Sequence, residues 1–62
     1  MKRLLSSKEL AEALGLTPQT LRVWRLTGDG PPYVKFGDAK RSRVRYDVEK
    51  VQEWLAERTV ES

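Results

Sequence analysis

Side chains able to read nucleic acid are concentrated in residues 17–25. Gln19 could make a bidentate contact to adenine and Arg22 to guanine, and Val23 could meet the methyl group of thymine. Three neighbours carry hydroxyl or guanidinium groups suited to phosphates or adjacent base edges: Thr17, Thr20 and Arg25. A solvated helix surface would explain any single member, and an ion pair with an acid of the last helix would explain Arg25 equally well. Only the whole group predicts a DNA-reading face.

A second group of cations follows in a segment where apolar and basic residues alternate. This period of two predicts strands at 33–36 and 43–46 that form a hairpin. Its apolar residues are expected on one face: Val34, Phe36, Val44 and Tyr46. Its cations are expected on the other face or near the tip: Lys35, Lys40, Arg41, Arg43 and Arg45. Such a wing would follow a DNA backbone or enter a minor groove. The alternative is that the charges only protect an exposed edge strand.

The charge of the chain is divided in the same way. The 62 residues carry a net charge of +3. Seven basic and two acidic residues lie within 19–46, whereas the rest of the chain has five basic and seven acidic residues. We therefore expect one positive face, for which a phosphate backbone is the natural partner.

The composition argues against an enzyme, a metalloprotein and a membrane protein. There is no cysteine and no histidine, so the usual metal ligands, the thiol nucleophile and the general base near neutral pH are missing. No apolar run approaches the roughly 20 residues of a membrane span, and the start of the chain does not suit a signal peptide. We expect a single cytoplasmic domain, residues 1–62, without cofactor or metal.

Two helices joined by a tight turn would carry the first group of residues. Ser6 and Glu9 form a capping-box pattern that starts a helix at 7–14, and Gly15 ends this helix. Ala11 is small enough to let a second helix cross closely. The arrangement is typical of a helix-turn-helix, although an ordinary corner between two helices is the alternative.

The second helix, 18–27, should have an inward and an outward side. Thr17 is expected as its N-cap, with Pro18 at the first helical position. Leu21 and Trp24 fall on the inward side. The outward side carries Gln19, Arg22 and Val23.

A last helix, about 48–58, is expected after Asp47 as its N-cap. It has an apolar stripe that includes Trp54, and both Trp24 and Trp54 are better explained as core residues than as base-stacking platforms. Residues 4–5 are too few to decide whether they form a strand that pairs with a later one.

Four segments together resemble a known family: 5–16, 20–25, 30–37, and 43–46 followed by 48–55. They resemble the excisionase-like and MerR-like winged helix-turn-helix domains, including AlpA-type prophage regulators. The resemblance implies an α+β fold with helix 18–27 in the major groove and the hairpin wing on the adjacent minor groove or backbone. It assigns DNA contacts to Gln19, Thr20, Arg22, Val23, Arg25, Lys40, Arg41 and Arg43.

The resemblance also implies a small architectural or regulatory factor, often encoded by a phage or mobile element. MerR-type activators continue into a dimerising helix and an effector domain, whereas this sequence stops after the last predicted helix. We therefore expect an excisionase or a prophage regulator instead. The loop 38–42 is longer than the glycine-rich tip usual in the family. Double-stranded DNA is the expected partner, with further copies of the protein and an integrase as candidates. Two alternatives stay open: the DNA-binding module of a packaging terminase small subunit, and a protein-interaction module with an acidic partner.

Overall fold

Three helices and a three-stranded antiparallel sheet make up the part of the chain that the computed structural model describes, residues 3–37 and 43–60. The elements are β1 (Leu4–Leu5), α1 (Ser7–Leu14), α2 (Pro18–Thr27), β2 (Val34–Phe36), β3 (Arg43–Asp47) and α3 (Val48–Glu57). The predicted α+β winged helix-turn-helix is confirmed, with every helix and strand boundary within one residue of its expected position. The pairing left open for residues 4–5 is present, since β1 lies beside β3.

Each helix begins at a side-chain cap. The Ser6 hydroxyl oxygen accepts from the Glu9 backbone N–H at 3.1 Å, and the Glu9 carboxylate accepts from the Ser6 N–H at 3.0 Å, which completes the capping box. Thr17 Oγ1 accepts from the Thr20 N–H at 3.3 Å, and Asp47 caps α3 in the same way. These contacts satisfy backbone donors that the first turn of a helix leaves free.

A tight turn brings α2 against α1. Gly15 ends α1 in the left-handed region with φ of 72°, and the Leu16 N–H donates to the Ala11 carbonyl oxygen at 2.8 Å. Ala11 is only 1% exposed, as expected for a small residue at a close helix crossing. The short turn therefore fixes where α2 starts.

Tyr46 of β3 belongs to a small core that joins all the layers of the fold. The buried hydrophobic residues among those described are Leu10, Ala11, Leu21, Tyr46 and Val51. They come from α1, α2, β3 and α3, so no pair of elements has a core of its own.

The two tryptophans hold α3 against α2. The ring centroids of Trp24 and Trp54 are 5.8 Å apart at an interplanar angle of 49°, and both residues are half-buried. Their predicted inward placement is confirmed. The connector after α2 also lies on Trp24, because Gly30 approaches its side chain too closely to leave room for a Cβ atom.

The strand register contradicts the prediction that the hairpin has one apolar and one basic face. The sheet order is β1-β3-β2. The register pairs Val34 with Arg45, Lys35 with Val44, and Phe36 with Arg43. Directly opposite residues share a face of a sheet. Lys35 therefore lies on the same face as Val44, whereas Arg43 and Arg45 share the other face with Val34 and Phe36.

The length of the connection explains this difference. Six residues, 37–42, separate the paired Phe36 and Arg43. When the number of connecting residues is even, even-numbered positions of one strand pair with odd-numbered positions of the other. With one residue more or fewer in the connection, even positions would pair with even positions, and Val34 and Phe36 would share a face with Val44 and Tyr46 as predicted. The alternation within each strand was predicted correctly, but the matching of the two strands was wrong.

Candidate nucleic-acid interface

The outward face of α2, formed by Gln19, Arg22 and Val23, is exposed. Val23 shows 43% of its surface, whereas Leu21 on the opposite side of the helix shows 0%. Because Leu21 is inserted in the core, a large rotation of α2 about its axis would withdraw it from the core. The predicted division of the helix into an inward and an outward side is confirmed.

The hydroxyl groups at the start of α2 contact each other. Thr17 Oγ1 and Thr20 Oγ1 are 3.1 Å apart, and the Thr17 oxygen also accepts from the Thr20 backbone N–H. In the free protein, these threonines therefore stabilise the first turn of α2. Their predicted contacts to phosphates or base edges remain predictions.

Arg25 makes contacts within the protein. Its Nη1 donates to the Tyr46 hydroxyl oxygen at 2.7 Å and to the Ser7 hydroxyl oxygen at 3.2 Å. Its guanidinium carbon lies 5.9 Å from the centroid of the Tyr33 ring. Within residues 3–37 and 43–60, no acid of α3 forms the alternative ion pair with Arg25.

An open cleft of about 480 Å³ lies between α2 and the hairpin. The described residues that line it are Arg22, Arg25, Leu26, Tyr33, Lys35 and Val44. Three of these are cations and none is acidic, so the cleft attracts anions. Lys35 contributes because the register places it on the face of Val44, towards α2.

The two arginines of β3 lie on the other face of the sheet. Arg43 is exposed, whereas Arg45 is half-buried and donates from Nη1 to the Val44 carbonyl oxygen at 2.8 Å. Hydrogen bonds from the backbone and side chain of Ser6 lower the pKa of Glu9, and the charges of nearby Arg3 and Arg45 lower it further. Arg45 precedes Tyr46, which pairs with Leu5 of β1, so it lies near the start of α1. Lys40 and Arg41, predicted near the hairpin tip, lie outside the described residues.

Two residues of the cleft were missed from the sequence. Leu26, which is 79% exposed, follows Arg22 by four positions, so helical spacing could have identified it. Tyr33 precedes β2 and reaches the cleft through its packing against Tyr46, with ring centroids 6.2 Å apart. No local signal in the sequence predicts that contact.

The described ranges contain no group of three or more potential metal-ligating residues that could hold an ion. Over the same ranges, no helix has the length and apolar character needed to cross a membrane.

Comparison with known proteins identifies the family. No curated protein and no solved structure matched the chain. The family model described as "Helix-turn-helix domain" matches residues 4–59, which include every element from β1 to α3. The geometry agrees with this match, since α1 and α2 meet through a tight turn and α2 exposes one side. The chain therefore belongs to the helix-turn-helix domain family and is a DNA-binding domain.

Proposed function

We propose that the protein recognises a specific sequence in duplex DNA, with α2 in the major groove and the hairpin on the adjacent backbone or minor groove. One observation carries this proposal: the outward face of α2 borders a cleft lined by Arg22, Arg25 and Lys35. A base-reading surface and a phosphate-attracting surface thus lie side by side. The major groove is wide enough to admit an α-helix.

The residues have different roles in this proposal. Gln19, Arg22 and Val23 meet base edges, which supply sequence preference. Lys35 neutralises a phosphate beside the groove that holds α2. Arg43, which is exposed at the hairpin, attracts the backbone of the neighbouring turn. Lys40 and Arg41 would add backbone or minor-groove contacts at the tip.

The proposed biological role is that of an excisionase, a recombination directionality factor of a phage or mobile element, or of a related transcriptional regulator. The resemblance of the sequence to these proteins supports it. The protein would act by binding and not by catalysis, and an integrase would be its partner in excision. An integrase gene beside its own would favour excision, whereas a terminase large-subunit gene would favour packaging.

Several copies on adjacent sites would supply the specificity that one small domain lacks, because a domain of this size covers a short site. Titration of duplexes with one or two adjacent sites tests this part of the proposal. We expect tighter binding per site on the double-site duplex, and equal affinity per site would contradict it.

The first experiment selects a binding site from a pool of random duplexes and then measures affinity against salt concentration. The logarithm of the binding constant should fall with the logarithm of salt concentration by about 0.9 per phosphate neutralised. Absence of duplex binding, or an affinity that does not change with salt, would contradict the proposal and favour an acidic protein partner.

Paired substitutions then separate base reading from backbone contact. Arg22→Ala should lower affinity for the selected site by about 1–3 kcal/mol and relax its sequence preference. Arg43→Ala and Lys35→Ala should weaken all sequences alike and reduce the salt slope by about 0.9. Lys50→Ala is the matched control, because it also removes one cation, but from α3 and outside the cleft, where Lys50 is 3.7 Å from Glu53. If Arg43→Ala alone altered base preference, the roles of helix and hairpin would be exchanged.

A further inference from the structure

Arg25 connects α2 to three other parts of the fold. Its Nη1 donates to Ser7 of α1 and to Tyr46 of β3, and its guanidinium lies beside the Tyr33 ring in the segment before β2. All three partners come from elements that surround the cleft or support it. One side chain of α2 therefore contacts both the helix that precedes it and the sheet that carries the wing.

The hydrogen bond to Tyr46 has an acceptor that cannot easily move. Tyr46 is 1% exposed and is among the largest fully buried side chains of the described core. Its hydroxyl oxygen is 2.7 Å from Arg25 Nη1, a short distance typical of charge-assisted hydrogen bonds. A rotation or slide of α2 would lengthen this bond, while the polar oxygen would stay in place.

Beyond the turn that fixes its start, the side chains that attach α2 to the core are apolar, and their contacts are less directional. Leu21 inserts into the core and Trp24 packs on Trp54 at a tilted angle. Such contacts resist separation of the helix from the core, but they tolerate small shifts better than a short hydrogen bond does, because the hydrophobic effect has no preferred direction. Arg25 is thus the described residue of α2 best placed to set its orientation.

We propose that Arg25 is a positioning residue, which fixes the orientation of α2 so that the outward face meets the base edges in the correct register. This inference rests on the proposed DNA-reading role of α2. Arg22 lies one helical turn before Arg25 and shares the cleft with it, so a rotation of α2 that follows loss of the Arg25 contacts also moves Arg22. Arg25 acts on sequence preference through the helix, even where it makes no contact with DNA.

Two substitutions that keep the net charge test the proposal. Tyr46→Phe removes the acceptor but keeps the ring in the core, and Arg25→Lys keeps the cation but loses the guanidinium geometry. Thr59→Val is the control, because it removes a hydroxyl that lies after α3, donates to the Leu55 carbonyl oxygen at 2.9 Å and is not among the residues of the cleft. Affinity for the selected site and for a scrambled duplex is measured for each, well below the melting temperature.

Tyr46→Phe and Arg25→Lys should lower the ratio of specific to non-specific affinity by about tenfold, within the range for one lost bidentate base contact. The salt slope should be unchanged, because no charge is removed. The control should keep the wild-type ratio. A purely structural role would lower the melting temperature and reduce both affinities together, which leaves the ratio unchanged.

The results separate this inference from the proposed function. A wild-type protein that binds all duplexes equally would overturn both. A selective wild-type protein whose Tyr46→Phe and Arg25→Lys variants keep the ratio within about twofold would overturn only the positioning role. If Arg25→Lys did not fold, Tyr46→Phe alone would decide, since it preserves the volume of the buried ring almost completely.

Discussion

Replacement of Gly30 by alanine should destabilise the protein more than the same change at Gly28. Both glycines have left-handed φ values, 83° and 82°, so alanine has a similar backbone cost at each, about 1–2 kcal/mol. A Cβ atom at Gly28 would meet nothing within 4 Å. At Gly30 it would lie 2.9 Å from Trp24 Cε3 and 3.1 Å from Trp24 Cβ.

The steric cost at Gly30 cannot be relieved by a simple rotation of the ring. Trp24 Cβ is attached to the backbone of α2, and the ring is held against Trp54. Overpacking of this kind typically costs about 1–3 kcal/mol. Alanine also lowers the conformational entropy of the unfolded chain, which stabilises the folded protein. This contribution is similar for both substitutions and cancels when the two variants are compared.

Thermal unfolding followed by circular dichroism measures the difference. For a domain of this size, about 1 kcal/mol corresponds to about 4–8 °C, so Gly30→Ala should melt at least about 4–8 °C below Gly28→Ala. Equal losses of melting temperature in the two variants would show that the connector moves away from Trp24 freely, and would refute the steric argument.

Three further predictions concern the helices. Leu21→Ala should lower the free energy of unfolding by about 2–5 kcal/mol in denaturant titrations, whereas Val23→Ala should change it by less than about 0.5 kcal/mol. Similar losses in the two variants would contradict the assignment of Leu21 to the buried side of α2 and Val23 to the exposed side. Thr17→Ala removes an N-cap and should cost about 1 kcal/mol in the same titrations, and an unchanged curve would mean that Thr17 does not cap α2. The pKa of Glu9 is lowered by hydrogen bonds from Ser6, so the carboxylate adds stability above its unfolded-state pKa, and this stability is lost as pH falls through the lower folded-state pKa. Glu9→Gln should flatten the acid side of the curve of melting temperature against pH, and an unaltered curve would count against the capping box.

The helix boundaries could be predicted because their signals are local. A capping box, a threonine before a proline and a glycine after the last turn each act within a few residues. The two sides of α2 were predictable for a related reason, since the helical period alone separates Leu21 from Val23. Neither inference needs knowledge of a distant partner.

The faces of the hairpin could not be predicted in this way. Alternation inside a strand shows which residues share a side, but the register between strands depends on the connection that joins them. The six connecting residues place Lys35 beside the cleft, on the face of the sheet opposite to Arg43 and Arg45. The predicted basic face was therefore divided between the two sides of the sheet, and this changed the composition of the candidate site.

The role of Arg25 also depends on partners that are distant in the sequence. Its two hydroxyl acceptors lie 18 and 21 residues away, on α1 and β3. The sequence predicted a phosphate, an adjacent base edge or an acid of the last helix as its partner, because the sequence shows the charge of Arg25 but not which hydroxyl groups the fold brings close to it. Only the tertiary arrangement of α1, α2 and β3 brings these groups together.

The pairing of β1 with β3 has a consequence for cooperativity. Leu4 is opposite Asp47 and Leu5 is opposite Tyr46, so everything from α1 to β2 lies within a loop that this ladder closes. Tyr46 of this ladder is also a core residue and the hydrogen-bond acceptor of Arg25, so we expect opening of the ladder to weaken both interactions. Because they share this core, we expect the helix-turn-helix to form and melt with the sheet in one transition. If α2 holds DNA as we propose, binding selects the fully folded chain and therefore stabilises β1 as well.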